Sequence, residues 1–207
     1  FFKLMKSLSE IDTVSKRASR AAGFDWGIAE EVGKNIRMLE MLGLPGIKNL
    51  NYYYKVRDKR NFEILNLISE ENKSSQLEFC PIIAGVSFLD QVRSLENLNE
   101  IRFQSIAYPI LFLPFVSRAS EVIGKKIHLK IDKREFLLNY GNSIYSNALK
   151  NEITTIGNDI TIKFIKNVDS FEEKEWKELY KLSENTFVEE NESLKESGAG
   201  AGLTDND

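Results

Sequence analysis

From Lys126 onward the apolar residues stop recurring at helical intervals and begin to alternate. Ile127, Leu129 and Ile131 are interleaved with Lys126, His128 and Lys130. Successive side chains of a strand point to opposite faces, so this spacing gives one buried and one wet sheet face. Residues 135–140, 143–146 and 159–165 follow as short runs with turn residues between them, the pattern of an antiparallel meander. Before Lys126 the period is helical. Ser7 and Glu10 have capping-box spacing, and Leu8, Ile11, Val14, Ala18 and Ala21 then mark a helix over 8–22 that stops at Gly23. Asp25 is placed to cap a second helix, with Trp26, Ala29, Val32, Ile36 and Leu39 on one face and Gly43-Leu44-Pro45 as its stop. The short Gly23-Phe24 link makes the two helices neighbours.

A third helix is expected over 47–67 and a polar loop over 69–76. Around Cys80-Pro81 the pattern is ambiguous. Beyond it Phe88, Val92 and Leu95 suggest a helix, residues 102–107 an extended segment, and 111–123 a buried helix ended by Gly124. Ser170 and Glu173 have capping-box spacing again, ahead of Trp176, Leu179, Tyr180 and Ser183 on a final helix. The fold class read from this order is α+β: an N-terminal helical layer, an antiparallel β-meander and a C-terminal helix. At 207 residues, with no convincing linker, a single composite domain over 1–207 is favoured, with 193–207 as a Gly/Ala-rich acidic C-terminal segment.

Charge is distributed unevenly. Residues 168–207 hold twelve acidic residues and four lysines, a net of −8, so the overall −3 leaves +5 for residues 1–167. An acidic arm on a mildly basic body can dock on its own domain, a sister subunit or a partner, although a solvated helix face also explains such a run. Cys80 is the one cysteine, which suits a reducing compartment. The opening Phe1-Phe2-Lys3-Leu4-Met5-Lys6 lacks the apolar core of a secretory signal. The stretch 106–116, interrupted by Pro109 and Pro114, is far short of the roughly 20 residues that span a bilayer. A cytoplasmic protein without membrane contact is expected.

The chain resembles a bacterial family of unknown function. The resemblance is carried by Ala18-Ser19-Arg20-Ala21-Ala22-Gly23-Phe24-Asp25-Trp26-Gly27-Ile28-Ala29-Glu30-Glu31, by Cys80-Pro81 with Ala84-Gly85, by Pro109 and Pro114-Phe115, and by the ending Gly198-Ala199-Gly200-Ala201-Gly202-Leu203-Thr204-Asp205-Asn206-Asp207. It implies that the glycine-alanine ending belongs to the family pattern, and it carries no activity, cofactor or catalytic residue with it. Thr186-Phe187-Val188-Glu189 stands where the family has Thr-Tyr-Val-Pro, so a phenol there is not essential in this chain. The first two helices also look weakly like the opening of the malate/lactate-type NAD-dependent dehydrogenases. The Ser-His-Gly stretch of that family and any Gly-x-Gly-x-x-Gly fingerprint are missing from the sequence, and the dehydrogenase reading is set aside.

Two groups of candidate binding residues emerge. At the junction of the first two helices, Arg20 can grip a carboxylate through its two-pronged guanidinium while Trp26 forms an apolar wall, with Asp25 and Glu30 nearby. Helix capping and helix-dipole complementarity explain the same charges structurally. In the tail, Gly198, Gly200 and Gly202 let the chain thread a narrow space, and Thr204, Asp205, Asn206 and Asp207 form a polar tip. Those oxygens match no established metal loop, and one cysteine with one histidine cannot complete a zinc set, so no metal is assigned. His128 falls with the lysines on the wet face, and Cys80 between Phe79 and Pro81 reads as a small buried hydrophobe. The aromatic-basic run Tyr52-Tyr53-Tyr54-Lys55-Val56-Arg57-Asp58-Lys59-Arg60 is too short, on too acidic a chain, to argue for nucleic acid. Two functions follow: an interaction or accessory subunit whose C-terminal segment docks in a pocket of its own, a sister or a partner chain, or a small-molecule enzyme with a carboxylate/Arg site at the helix junction.

Overall fold

A computed structural model describes residues 6–140, 143–147 and 154–186. The chain divides into two compact units, Phe1–Asn167 and Val168–Asp207. The first is α+β, as its sequence periods imply.

Helix α1 (Leu8–Ala21) begins with the expected capping box: the Glu10 amide donates to Ser7 Oγ at 3.1 Å and the Ser7 amide to Glu10 Oε2 at 3.2 Å. Two of the orphan donors of the helix start are thereby satisfied. Gly23, at φ +93°, reverses the chain into α2 (Trp26–Met41). The hairpin closes because Gly33 has no side chain: a Cβ there would lie 2.6 Å from the Asp12 carboxylate and 2.9 Å from its carbonyl. Helix α3 (Gly46–Arg57) is shorter than the helix expected over 47–67. It ends at Arg57 because the chain beyond it is tied into an extended pairing. The Glu63 amide donates to the Glu78 carbonyl at 2.9 Å, and the Cys80 amide to the Glu63 carbonyl at 2.8 Å. The polar stretch 69–76 contains a two-residue strand, β1 (Glu71–Asn72).

Helix α4 (Pro81–Leu95) starts with proline in its first turn, where the missing N–H costs nothing. Strands β2 (Ile101–Phe103) and β3 (Ile106–Ala107) and a 3₁₀ turn (Pro109–Leu111) lead into α5 (Leu113–Ile123), which Gly124 ends at φ +63°. Then come β4 (Lys126–Ile131), β5 (Arg134–Asn139), β6 (Ser143–Ser146), β7 (Ile156–Gly157) and β8 (Ile160–Ile165).

The large sheet has the order β1-β2-β8-β4-β5-β6, and β3 pairs separately with β7. Only β4, β5 and β6 form the meander; β8 crosses to the other side of β4 and joins it to β2, while β1 runs parallel to β2. The turn between β4 and β5 fixes that crossing. Asp132 sits there at φ +53°, and its carboxylate accepts the amides of Asn158 at 3.0 Å and Asp159 at 3.1 Å, just ahead of β8. Register aligns Ile101 with Ile162, Leu129 with both Ile162 and Phe136, and Ile127 with Leu138, and all of these are buried. Helix α5 packs on β4 and β5. Above the sheet Phe103, Phe112 and Phe88 meet edge to face, with ring centroids 5.3 to 6.5 Å apart. His128 and Lys163, side by side on β4 and β8, take the opposite, wetter face as the alternation requires.

One ion pair joins α2 to α5. Glu31 accepts from Arg118 and from Lys34, the latter at 2.8 Å, and Asn35 Oδ1 also accepts from Arg118 at 3.4 Å. Burial pushes the Glu31 carboxyl up, and the hydrogen bonds from Arg118 and Lys34 more than offset it, holding the group below the usual carboxylate range. A folded-state pKa below the unfolded value of about 4.3 stabilises the fold above that pH, and the stabilisation is lost as pH falls through the folded value. Glu31→Gln is therefore expected to lower the urea midpoint at pH 7, with the gap closing below about pH 4. A gap of constant size from pH 7 to pH 3 would contradict this account of the pair.

In the second unit, α6 (Glu173–Ser183) carries its capping box at Glu172 and Glu175, two residues beyond the Ser170-Glu173 pair that the spacing suggests. The Glu172 amide donates to Glu175 Oε2 at 2.8 Å. Trp176 stacks on Phe171 with centroids 5.6 Å apart. Among the described residues no helix is long and apolar enough to cross a membrane.

Candidate functional site

A cavity of about 610 Å³ lies where the α1–α2 turn meets the end of α3 and the start of α4. Each wall has a local cause. The Gly23 turn delivers Phe24, whose amide donates to the Ser19 carbonyl at 3.2 Å and whose ring is buried. On α3, Tyr53 and Arg57 are one turn apart and share a face. Arg57 donates to the Ala22 carbonyl, and its guanidinium carbon lies 4.3 Å from the centroid of the Phe24 ring. The ring and the carbonyl together fix the plane of the guanidinium. Asn61, Phe62 and Ile64 come from the extended segment after α3, and Cys80 and Ile83 from the start of α4.

Behind this surface the Tyr53 hydroxyl and Cys80 Sγ are 2.9 Å apart and buried. Cys80 is the N-cap of α4, with Sγ 3.5 Å from the Ile83 amide that donates to it. Burial is the main cause that pushes the Cys80 thiol up, against the lowering effect of the Tyr53 hydrogen bond. Burial also raises the Tyr53 phenol well above its ordinary range, followed by the neighbouring thiol. Both groups keep their protons at neutral pH, so Cys80 offers no thiolate nucleophile. Tyr54, raised by burial too, donates to Ser19 Oγ at 2.6 Å and belongs to the packing. The charged residues of the lining are Arg57 and Asp25. A hollow of about 340 Å³ opens on the other side of Arg57, against Ala21, Ala22 and Asp58.

The residues singled out from the sequence are distributed as follows. Asp25 lines the cavity; it occupies the N-cap position of α2 but makes no side-chain capping bond. Arg20 and Trp26 are brought together, with the guanidinium 5.7 Å from the indole centroid. Arg20 also donates to the Phe24 carbonyl at 3.1 Å, and neither Arg20 nor Trp26 lines the cavity. Glu30 is exposed, 4.0 Å from Lys16. Thr204, Asp205, Asn206 and Asp207 lie outside the described residues. Cys80 is buried, as its flanking residues suggest.

Arg57, Tyr53 and Phe24 line the cavity but are not among the candidate binding residues expected from the sequence. The available signal was the i, i+4 spacing of Tyr53 and Arg57, which turns a phenol and a guanidinium to one side of a helix. It was obscured by reading 52–60 as one basic-aromatic run.

A family model described as "Protein of unknown function (DUF3726)" matches residues 6–79. The matched region takes in α1, α2 and α3 with Asp25, Tyr53 and Arg57, and of the segments that carry the resemblance noted above it contains the first, at 18–31. No curated protein and no solved structure matches the chain.

Proposed function

We propose that the protein is an interaction or accessory subunit whose C-terminal segment, residues 198–207, docks in a pocket of a sister or partner chain. The observation that carries this reading is the cavity of about 610 Å³ with Arg57 on its wall. Ordering a glycine-rich segment costs about 1 to 2 kcal/mol per residue, and exposed ion pairs return at most about 1 kcal/mol each. Docking therefore requires a concave, partly desolvated seat with a fixed cation, and this cavity supplies both. The tip it would receive, Thr204-Asp205-Asn206-Asp207, carries side-chain carboxylates next to backbone N–H groups.

Deleting residues 198–207 is expected to reduce assembly in analytical ultracentrifugation, or to lower the melting temperature by about 3 °C for each kcal/mol of docking lost. Unchanged assembly together with unchanged melting removes the reading.

A second reading, a small-molecule enzyme at the junction of α1 and α2, is favoured by the size of the same cavity, which falls in the range of small-molecule sites. Asp25 is then the carboxylate for acid-base work and Arg57 the substrate anchor. A metabolite that raises the melting temperature of the intact chain, with the rise lost in Arg57→Gln, supports it; a rise that survives the substitution places the ligand elsewhere.

A further inference from the structure

Taking the cavity beside the α1–α2 turn to be the seat just described, the geometry points to Arg57 and Asp25 as the two poles of a site for a carboxylate carried next to an N–H donor. An α-amino acid and the last residue of a peptide both have that chemistry.

The lining carries one guanidinium and one carboxylate, so its formal charge is zero. A multiply charged anion such as phosphate gains from Arg57 and is opposed by Asp25. A ligand that presents a carboxylate to one and an ammonium or amide N–H to the other is favoured by both. Both poles are available. A guanidinium has five N–H donors; Arg57 gives one to the Ala22 carbonyl and forms no ion pair among the described residues. Phe24 shields one face of its plane, at 4.3 Å, and leaves donors at the edge for a two-pronged grip on a carboxylate. Asp25 is uncommitted because it makes no capping bond to α2. Phe62 and Ile28 line the same space and suit an apolar side chain on the ligand. The Tyr53 hydroxyl, already in contact with Cys80, closes the floor.

The test uses the intact chain and isothermal titration with four probes: L-phenylalanine, N-acetyl-L-phenylalanine, 3-phenylpropionate, which lacks the donor, and inorganic phosphate. L-Phenylalanine or its N-acetyl derivative is expected to bind more tightly than 3-phenylpropionate, and phosphate least. Arg57→Gln is expected to weaken every carboxylate probe by about tenfold or more, the loss of one charge-assisted bond pair. Because Arg57 also contacts Ala22 and Phe24, Asp25→Asn serves as a second variant that removes no capping bond of α2. It is expected to weaken L-phenylalanine and to tighten 3-phenylpropionate, a reversal that general destabilisation does not produce.

Preference for the N-acetyl derivative identifies the natural ligand as a chain end, and preference for L-phenylalanine as a free amino acid; both agree with the assigned poles. Phosphate as the tightest probe, absence of binding by all four, or equal binding in Arg57→Gln overturns the assignment. The outcome is separable from the docking reading. If deleting residues 198–207 changes nothing while Arg57→Gln abolishes probe binding, docking fails and the site stands. If the deletion impairs assembly while Arg57→Gln binds the probes unchanged, the site alone fails.

Discussion

Replacing Phe112 by alanine is expected to lower the free energy of unfolding by about 4 kcal/mol, a large fraction of the roughly 5 to 15 kcal/mol that holds an ordinary domain together. The ring is fully buried where the 3₁₀ turn passes into α5, and it meets two others edge to face: Phe103 at 5.3 Å and Phe88 at 6.0 Å. Phe103 is on the sheet and Phe88 on α4, so the substitution opens a void where three elements join and also removes the aromatic pairings. No small shift refills that space, because each neighbour is held by a different element. Urea titration followed by circular dichroism measures the loss. A change below about 2 kcal/mol would mean that the cluster collapses around the void, and that the aromatic contacts are not what joins helix to sheet.

Gly85→Ala is expected to destabilise the protein by about 2 kcal/mol, although the same change in an exposed helix interior gains about 1 kcal/mol. Gly85 lies within α4, and a Cβ placed there would be 2.2 Å from Phe115 Cδ2 and 2.5 Å from Cγ. Phe115 is itself buried, 1% exposed, so its ring has nowhere to swing. Overpacking therefore outweighs helix propensity at this position. Phe115→Leu supplies the control, since a smaller side chain makes room for the new methyl. Gly85→Ala should cost far less in the Phe115→Leu background, giving a favourable coupling in the double-mutant cycle. Additive losses would locate the strain elsewhere.

What could be read from the sequence was local. The Ser7-Glu10 capping box, the alternation around Ile127 to Ile131 and the stop at Gly124 each depend on residues a few positions apart, and each appears in the fold as read. The crossing of β8 is different. Its run resembles a fourth strand of the meander, but it pairs with β4 and β2, and that choice depends on the shared burial of Ile160 and Ile162 with strands far away in the chain. The helix expected over 47–67 stops at Arg57, and Ile64 and Leu67 lie beyond its end. Both are exposed, and the backbone pairing of Glu63 with the Glu78–Cys80 stretch decides the conformation. The candidate site was legible only at Asp25. Arg20 drew attention through its neighbour Trp26, and the two do contact each other. The guanidinium that lines the cavity is Arg57, brought beside Phe24 by the packing of α3 across the α1–α2 turn, and no spacing announces a contact 33 positions apart.

The central claim is that the Arg57 cavity receives a carboxylate-bearing ligand, and the most direct measurement is the ¹⁵N–¹H spectrum of the Arg57 side chain during titration with a synthetic peptide of residues 198–207. With that peptide amidated, so that its carboxylates are those of Asp205 and Asp207, a saturable shift of the Arg57 signals is expected, accompanied by the Gly23, Phe24 and Ile83 amides and absent when both aspartates are replaced by asparagine. Shifts confined to other parts of the molecule, or equal shifts from the asparagine-substituted peptide, would contradict this.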